Sequence, residues 1–370
     1  MGITEETPRS PRRGLGSFTK WRNGLIADPK FQKWAAKFPL TKWIARKDGE
    51  KLFDLVSGFV YSQTLYACVD LNLFEKLMEE PKTAANLAFS SDIPPERMEI
   101  LCNSASSLGL LHRRKDDRFE LARLGAALLG VPGLQQMIRH HDIFYRDMSD
   151  PLSLLRGEKE TELANFWPYV LGETEAGQNP ETTEIYSDLM AKSQALVAEE
   201  TLNTVGPNGK GLWMDVGGGT GSFLKALTAY TPAQEVLLFD LPDVVKDVTD
   251  LPKHGGSFLR PLPNADTISL VRVLYDHSTQ TVETLLARVF EALPKNGRLV
   301  ISEPMSGGTN PIKATDSYFA FYTMAMRTGQ VRSQREISDL LERAGFVNIK
   351  AHRSNRAYIT SVLTAEKLND

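Results

Sequence analysis

Residues 212–227 read LWMDVGGGTGSFLKAL. An apolar run carries Asp215 near its end. Gly217, Gly218, Gly219 and Gly221 follow, interrupted only by Thr220, and then Phe223, Leu224 and Leu227 recur at helical spacing. The stretch predicts a strand, a tight turn and a helix. Glycines at a strand end let the backbone bend sharply and approach a ligand at the carboxyl edge of a sheet. The amides that open the next helix favour a carboxylate or a phosphate. A dinucleotide fingerprint, G-x-G-x-x-G, would place its third glycine at Ser222; here the glycines run G-x-G-x-G at 217, 219 and 221.

Outward from that loop, EVLLFDLPDVV (residues 235–245) ends a second strand on Asp240, whose carboxylate suits both hydroxyls of a ribose. Asp240 alone would also serve a nicotinamide cofactor. The first glycine loop favours S-adenosylmethionine. Further strands are expected at 267–274, 298–303, 347–352 and 358–364, with helices at 221–230, 279–293, 313–327 and 333–344. Such alternation means a mostly parallel sheet covered by helices. Before it, residues 83–130 predict three short helices and a hairpin, with Thr83 capping the first and Pro94–Pro95 opening the second. That is a winged-helix arrangement. Its hairpin HRRKDDR mixes charges and no basic recognition helix precedes it, so a dimerisation or substrate-capping module is expected rather than a DNA reader.

DVGGGTG, FDLPDVV, GGSF, LVRVLYDHS and EALPKNGRLVISEP together resemble the small-molecule O-methyltransferases typified by plant caffeate and bacterial polyketide enzymes. The likeness covers about residues 55–365. It implies an α/β class I methyltransferase fold, Rossmann-like with a mixed seven-stranded sheet, behind an N-terminal winged-helix-like dimerisation domain. The expected division is a basic arm at 1–48, the dimerisation domain at 49–130, connecting helices and substrate pocket at 131–205, and the methyltransferase domain at 206–370. GFVYSQTLYACVDLNLF, YRDMSDPLSLLRG and FWPYV narrow the resemblance to the 1-hydroxycarotenoid (hydroxyneurosporene, demethylspheroidene) O-methyltransferases of purple photosynthetic bacteria, with bacteriochlorophyll methyltransferases as near relatives. A long polyene bearing a tertiary alcohol is then the implied substrate, and a homodimer the implied assembly.

By the same resemblance Asp215, Gly217, Gly219, Gly221, Asp240, Leu241, Ser257, Phe258 and Arg272 are expected at the cofactor. Ser257 stands where the family has Asp, which leaves one hydrogen bond to the adenine side. The family's base is a His in an L-H-D-W segment, steered by a strand-end Glu. Here the segment is Leu274-Tyr275-Asp276-His277, so Tyr275 takes the histidine's place while Asp276 and Glu303 match. A second steering carboxylate expected near 331–332 is replaced by Val331. Candidates for the proton acceptor are His277 or Tyr275 with Glu303 and Asp276, then His141 of the His140–His141 pair. A fourth reading needs no strong base, because a tertiary alcohol is a very weak acid and positioning can dominate. Phe144, Tyr145, Trp167, Phe321 and Met324, with Phe166, Phe319 and Tyr322, are expected to line an apolar pocket.

The chain carries a net charge of -3, which argues against nucleic acid as partner. Residues 1–47, however, hold 11 Lys/Arg against 3 Asp/Glu. Trp21, Phe31, Trp34, Phe38 and Trp43 lie among them, and Phe31, Trp34 and Phe38 fall on one helical face with Lys30, Lys33 and Lys37 around them. Two readings stand open: an arm that meets an anionic membrane surface, or aromatics that pack on the protein or a partner. Residues 1–25, rich in Arg, Pro, Gly and Ser, are expected to be mobile. The lone Cys68 and Cys102, without CxxC or a Cys/His cluster, predict a reduced, cytosolic protein without zinc or other metal. No apolar leader opens the chain, so secretion is not expected; the resemblance implies a cytoplasmic place, or a peripheral one on the photosynthetic membrane. The rival functions are methylation of a phenolic or polyketide hydroxyl, and a non-enzymatic adenosylmethionine-binding regulator.

Overall fold

The computed structural model describes residues 14–166, 194–207 and 209–368. Three short strands, β1 (Lys82–Thr83), β2 (Leu111–Arg113) and β3 (Arg118–Leu121), form an antiparallel sheet in the order β1-β3-β2. It packs with helices Leu73–Glu79, Ala84–Phe89 and Pro95–Ser107 around a core that includes Cys68, Phe74, Leu87, Met98, Cys102 and Phe119. Thr83 caps as expected, its hydroxyl accepting from the Asn86 amide, and Pro95 opens its helix. Strand β1 was not foreseen, because two residues are too short to carry a pattern.

The larger sheet contains β4 (Leu212–Val216), β5 (Glu235–Asp240), β6 (Lys253–Gly255), β7 (Thr267–Val271), β8 (Arg298–Glu303), β9 (Val347–His352) and β10 (Ser361–Glu366). Its order is β6-β5-β4-β7-β8-β10-β9, with β10 antiparallel to both neighbours and the other pairs parallel. This is the expected mixed seven-stranded class I sheet. Strands β4, β7 and β8 are buried nearly throughout because helices cover both faces. Helix Thr279–Ala292 turns Val282, Leu285, Leu286 and Val289 into one core layer, and helix Ser222–Tyr230 turns Phe223, Leu224 and Leu227 into the other. Chain order reverses between β4 and β7, and the crevice at such a switch point is where open α/β sheets bind ligands.

Four expectations need correcting. The third long strand stops at Val271: Arg272 takes a left-handed φ of 57°, its amide donates to Ser302 O at 2.8 Å, and a 3₁₀ turn, Leu274–Asp276, follows. The last strand begins at Ser361, because Glu200 Oε1 gathers the Ser354 hydroxyl and the Asn355 amide into a turn just before it. The helix expected at 313–327 is a π-helical turn, Ala314–Phe319, running into an α-helix, Ala320–Ala325. Residues Gly14–Ile26 form a helix in a stretch expected only to be mobile, while Pro29–Ala35 is the helix that the spacing of Phe31 and Trp34 implied. Strand β6 is a three-residue edge strand without a legible pattern.

Candidate active site

The glycine loop is packed tightly from below. A Cβ at Gly217 would come within 2.9 Å of Val273 Cγ2, one at Gly218 within 2.6 Å of Asp215 Oδ2, and one at Gly221 within 2.3 Å of Leu251 Cδ1. Above Gly219 there is nothing within 4 Å. All three of Gly217, Gly219 and Gly221 have positive φ. Asp215 supports the loop: it is buried and takes the Ser269 hydroxyl at 2.6 Å, with Trp213 Nε1 donating to Ser269 Oγ at 3.0 Å. Burial pushes its carboxyl up to about 7.

Asp240 ends β5 beside that opening. Its Oδ2 accepts the Gly219 amide at 2.8 Å and its Oδ1 accepts the Leu241 amide at 2.7 Å. Two bonds use half of the roughly four lone-pair positions a carboxylate offers. Burial raises its pKa, while those two amides pull it back. Beyond β6, Ser257 Oγ accepts the Leu259 amide, and Phe258 meets the His277 ring edge-on at 5.2 Å. An open glycine backbone, a carboxylate with free lone pairs and an aromatic wall form a donor set that fits an amino-acid-bearing nucleoside. Among the described residues no cluster of His, Cys, Asp or Glu could hold a metal ion.

At the ends of β7 and β8 lies a second group. Arg272 Nη2 donates to Tyr275 Oη at 3.1 Å, with the guanidinium 5.8 Å from the ring centre. Burial outweighs that cation and raises the Tyr275 pKa. The Tyr275 amide donates to Glu303 Oε2 at 3.2 Å, and buried Glu303 Oε1 and Asp276 Oδ1 have no hydrogen-bond partner among the described residues. Burial pushes Glu303 up to about 8 and Asp276 up to about 7. Arg332, 2% exposed, binds the turn from behind through Leu274 O, His277 O, Gln330 O and Thr279 Oγ1.

Facing this group, helix Leu134–Met148 sets His140 Nε2 2.8 Å from Tyr322 Oη and His141 Nε2 2.9 Å from Tyr318 Oη. Phe144, buried, meets the rings of Tyr318 at 6.1 Å and Tyr322 at 5.4 Å, while Tyr145 meets His141 and Tyr66. Phe321 and Met324 are partly buried in the same cluster; Phe319 is buried, and Trp167 lies outside the described residues. Burial lowers His140, His141 and His277 to about 4, so all three are neutral near pH 7.

Two family models match this chain: an O-methyltransferase domain over residues 145–347 and an O-methyltransferase dimerisation domain over residues 53–130. This chain belongs to the O-methyltransferase family. The O-methyltransferase is 48% identical to the demethylspheroidene O-methyltransferase of Cereibacter sphaeroides over 98% of each chain. To that of Rhodobacter capsulatus it is 46% identical, over 90% of this chain and 85% of the other. Its fold matches human N-acetylserotonin methyltransferase in complex with its methyl donor, with a TM-score of 0.73 at 21% identity over 87% of this chain and 98% of the other. As an S-adenosylmethionine-dependent enzyme it needs one site for donor and one for acceptor.

Sequence reasoning gathered most of these residues but sorted some differently. His277, weighed as a base, packs on Phe258 at the side expected for adenine. Arg272, expected at the cofactor, turns its guanidinium to Tyr275 and acts electrostatically on Tyr318 and Tyr322. Tyr318 and Arg332 were missed. Tyr318 left a signal, two tyrosines four apart in SYFAFYTM opposite a histidine doublet; Arg332 left none.

Proposed function

We propose that this O-methyltransferase moves the methyl group of S-adenosylmethionine to the tertiary hydroxyl of a 1-hydroxycarotenoid of the demethylspheroidene type. The observation that carries this is the 48% identity over 98% of both chains to an enzyme of that name. Bound S-adenosylmethionine supplies an electrophilic methyl carbon. The residues assigned to hold it are Gly217, Gly219 and Gly221 at its methionine end, Asp240 and Leu241 at the ribose, and Ser257, Phe258 and His277 at the adenine, with Asp215 beneath. Displacement at a methyl carbon needs the acceptor oxygen in line with the bond that breaks, so rigid placement of both partners supplies much of the acceleration. The aromatic cluster of Phe144, Tyr145, Phe321 and Met324 suits a polyene chain, and Trp167 is assigned to it from the sequence.

The N-terminal unit, residues 49–130, is assigned to dimerisation. Helix Lys42–Asp70 is long and apolar enough to cross a membrane, yet Cys68 and Val69 at its end are buried in the N-terminal core. Its exposed Leu52, Phe53, Leu55, Val56 and Phe59 suit a second copy of the chain. The basic aromatic arm, residues 1–48, suits an anionic membrane that holds the apolar substrate. The test is incubation of the full chain with labelled S-adenosylmethionine and either a 1-hydroxycarotenoid or a catechol. Label in the carotenoid is expected. Label only in the catechol replaces the substrate assignment, and donor binding without transfer to either removes the enzymatic one.

A further inference from the structure

Position 275, where the resemblance implies a histidine, holds a tyrosine whose hydroxyl already accepts from Arg272. Of the neighbouring histidines, His277 packs against Phe258, and His140 is buried with Tyr322. His141 differs from both. It and its partner Tyr318 are each half-buried, and the two meet at 2.9 Å across helices 177 residues apart in sequence. Tyr318 sits in the π-helical turn Ala314–Phe319, a rare geometry that recurs at functional sites. It also lies within electrostatic reach of Arg272, and so borders the carboxyl edge of the sheet.

We propose that Tyr318 receives the acceptor alcohol and that His141, through Tyr318, takes the proton; this rests on the methyltransferase reading above. Neutral His141 accepts the Tyr318 proton at Nε2, which leaves the lone pairs of Tyr318 Oη free to accept the alcohol O–H. As the alcohol oxygen bonds to the methyl carbon, the carbon–sulfur bond breaks and its electron pair stays on sulfur. The alcohol proton passes to Tyr318 Oη, and Tyr318's own proton passes to His141 Nε2. One positive charge disappears at sulfur and one appears at the imidazole, so the buried chamber gains no net charge. Burial, which favours neutral His141 before the step, opposes the imidazolium after it. The proton therefore has reason to leave afterwards, back through Tyr318. His140 and Tyr322, one residue and one helical turn away, brace the same two helices.

The test compares Tyr318→Phe, His141→Ala and His140→Gln in the full chain, with S-adenosylhomocysteine binding measured by calorimetry beside turnover. Removing a general base costs about 100-fold or more in kcat. Such a loss is expected in Tyr318→Phe and His141→Ala, with the dissociation constant for S-adenosylhomocysteine within about threefold of the parent. Added imidazole is expected to restore part of the His141→Ala rate and none of the Tyr318→Phe rate, a rescue that a purely structural histidine would not give. His140→Gln is expected to lower thermal stability more than kcat. The proposal is overturned if both variants keep the parental kcat, if imidazole restores nothing, or if the loss falls on Tyr275→Phe or Asp276→Asn alone. Should the parent methylate a catechol and not the carotenoid, the substrate assignment fails, and the same variants on the catechol still judge the relay.

Discussion

Asp240 shows how one side chain can serve both structure and chemistry. Its two oxygens pin the Gly219 and Leu241 amides and so shape the rim of the opening they face. Removing the carboxylate should therefore cost the ribose bonds and loosen the loop together. With about 1.5–3 kcal/mol for each charged hydrogen bond, Asp240→Ala is expected to weaken S-adenosylhomocysteine binding about 100-fold or more by calorimetry, and Asp240→Asn less; parental affinity in both variants would remove Asp240 from the site. The buried acids at the sheet's edge make a second prediction, through pH. Glu303 is held up to about 8, and Asp276 and Asp215 up to about 7, far above the value of about 4 in an unfolded chain. The folded protein keeps protons that the unfolded chain has released, so this contribution is full in acid and is lost as pH rises through 7 and 8. His140, His141 and His277 act oppositely, losing stability as pH falls from 6.5 towards about 4. Above about 6.5 the acids act alone. The melting temperature is expected to fall between about pH 6.5 and 8.5, and to fall less in Glu303→Gln, whose amide cannot ionise. An equal fall in both proteins would show that Glu303 is already ionised.

Arg332 does for an element what Asp240 does for a loop. Three hydrogen bonds from one guanidinium, to Leu274 O, His277 O and Thr279 Oγ1, close the 3₁₀ turn Leu274–Asp276 and the chain just after it, and a fourth goes to Gln330 O beside it. Arg332→Met fills similar volume but leaves buried carbonyls unpaired, and a loss of about 3 kcal/mol in unfolding free energy is expected in denaturant titration. A change under about 0.5 kcal/mol would mean that the turn holds itself. The contrast marks what the sequence could say. Strands β4, β5 and β8 and the helices behind them follow from apolar runs and period, because burial on both faces writes itself into composition. Arg332 does not, since a lone arginine after Val331 reads as a surface charge; its burial follows from carbonyls exposed by a turn 55 residues earlier. The left-handed Arg272 that ends β7 is equally silent, because any residue type can be forced there when the fold over-determines it. Tyr318 needed the π turn to be known before its direction could be.

At the scale of the whole molecule the exposed apolar surface divides by charge. Along Leu52, Phe53, Leu55, Val56 and Phe59 the sequence between holds no cation, whereas Phe18, Trp21, Trp34, Phe38 and Trp43 alternate with Lys20, Arg22, Lys30, Lys33, Lys37 and Lys42. A stripe without cations, whose one charge is Asp54, suits another protein surface more than an anionic bilayer. Cations interleaved with exposed tryptophans suit the boundary of an anionic bilayer, where each basic residue contributes about 1 kcal/mol and indole rings settle at headgroup depth. The two surfaces should then fail independently. In co-sedimentation with phosphatidylserine-containing vesicles the full chain is expected to bind, and to release when salt rises from about 0.05 to 0.5 M, because screening contracts the field to a few ångströms. Substituting alanine at Trp21, Trp34 and Trp43 together should abolish vesicle binding and leave the sedimentation coefficient of the free protein unchanged. Phe53→Glu with Phe59→Glu should do the reverse, giving monomers that still reach the vesicle. If the triple tryptophan variant turned monomeric instead, the arm's aromatics would belong to the partner subunit, and delivery of a membrane-held substrate would need another surface.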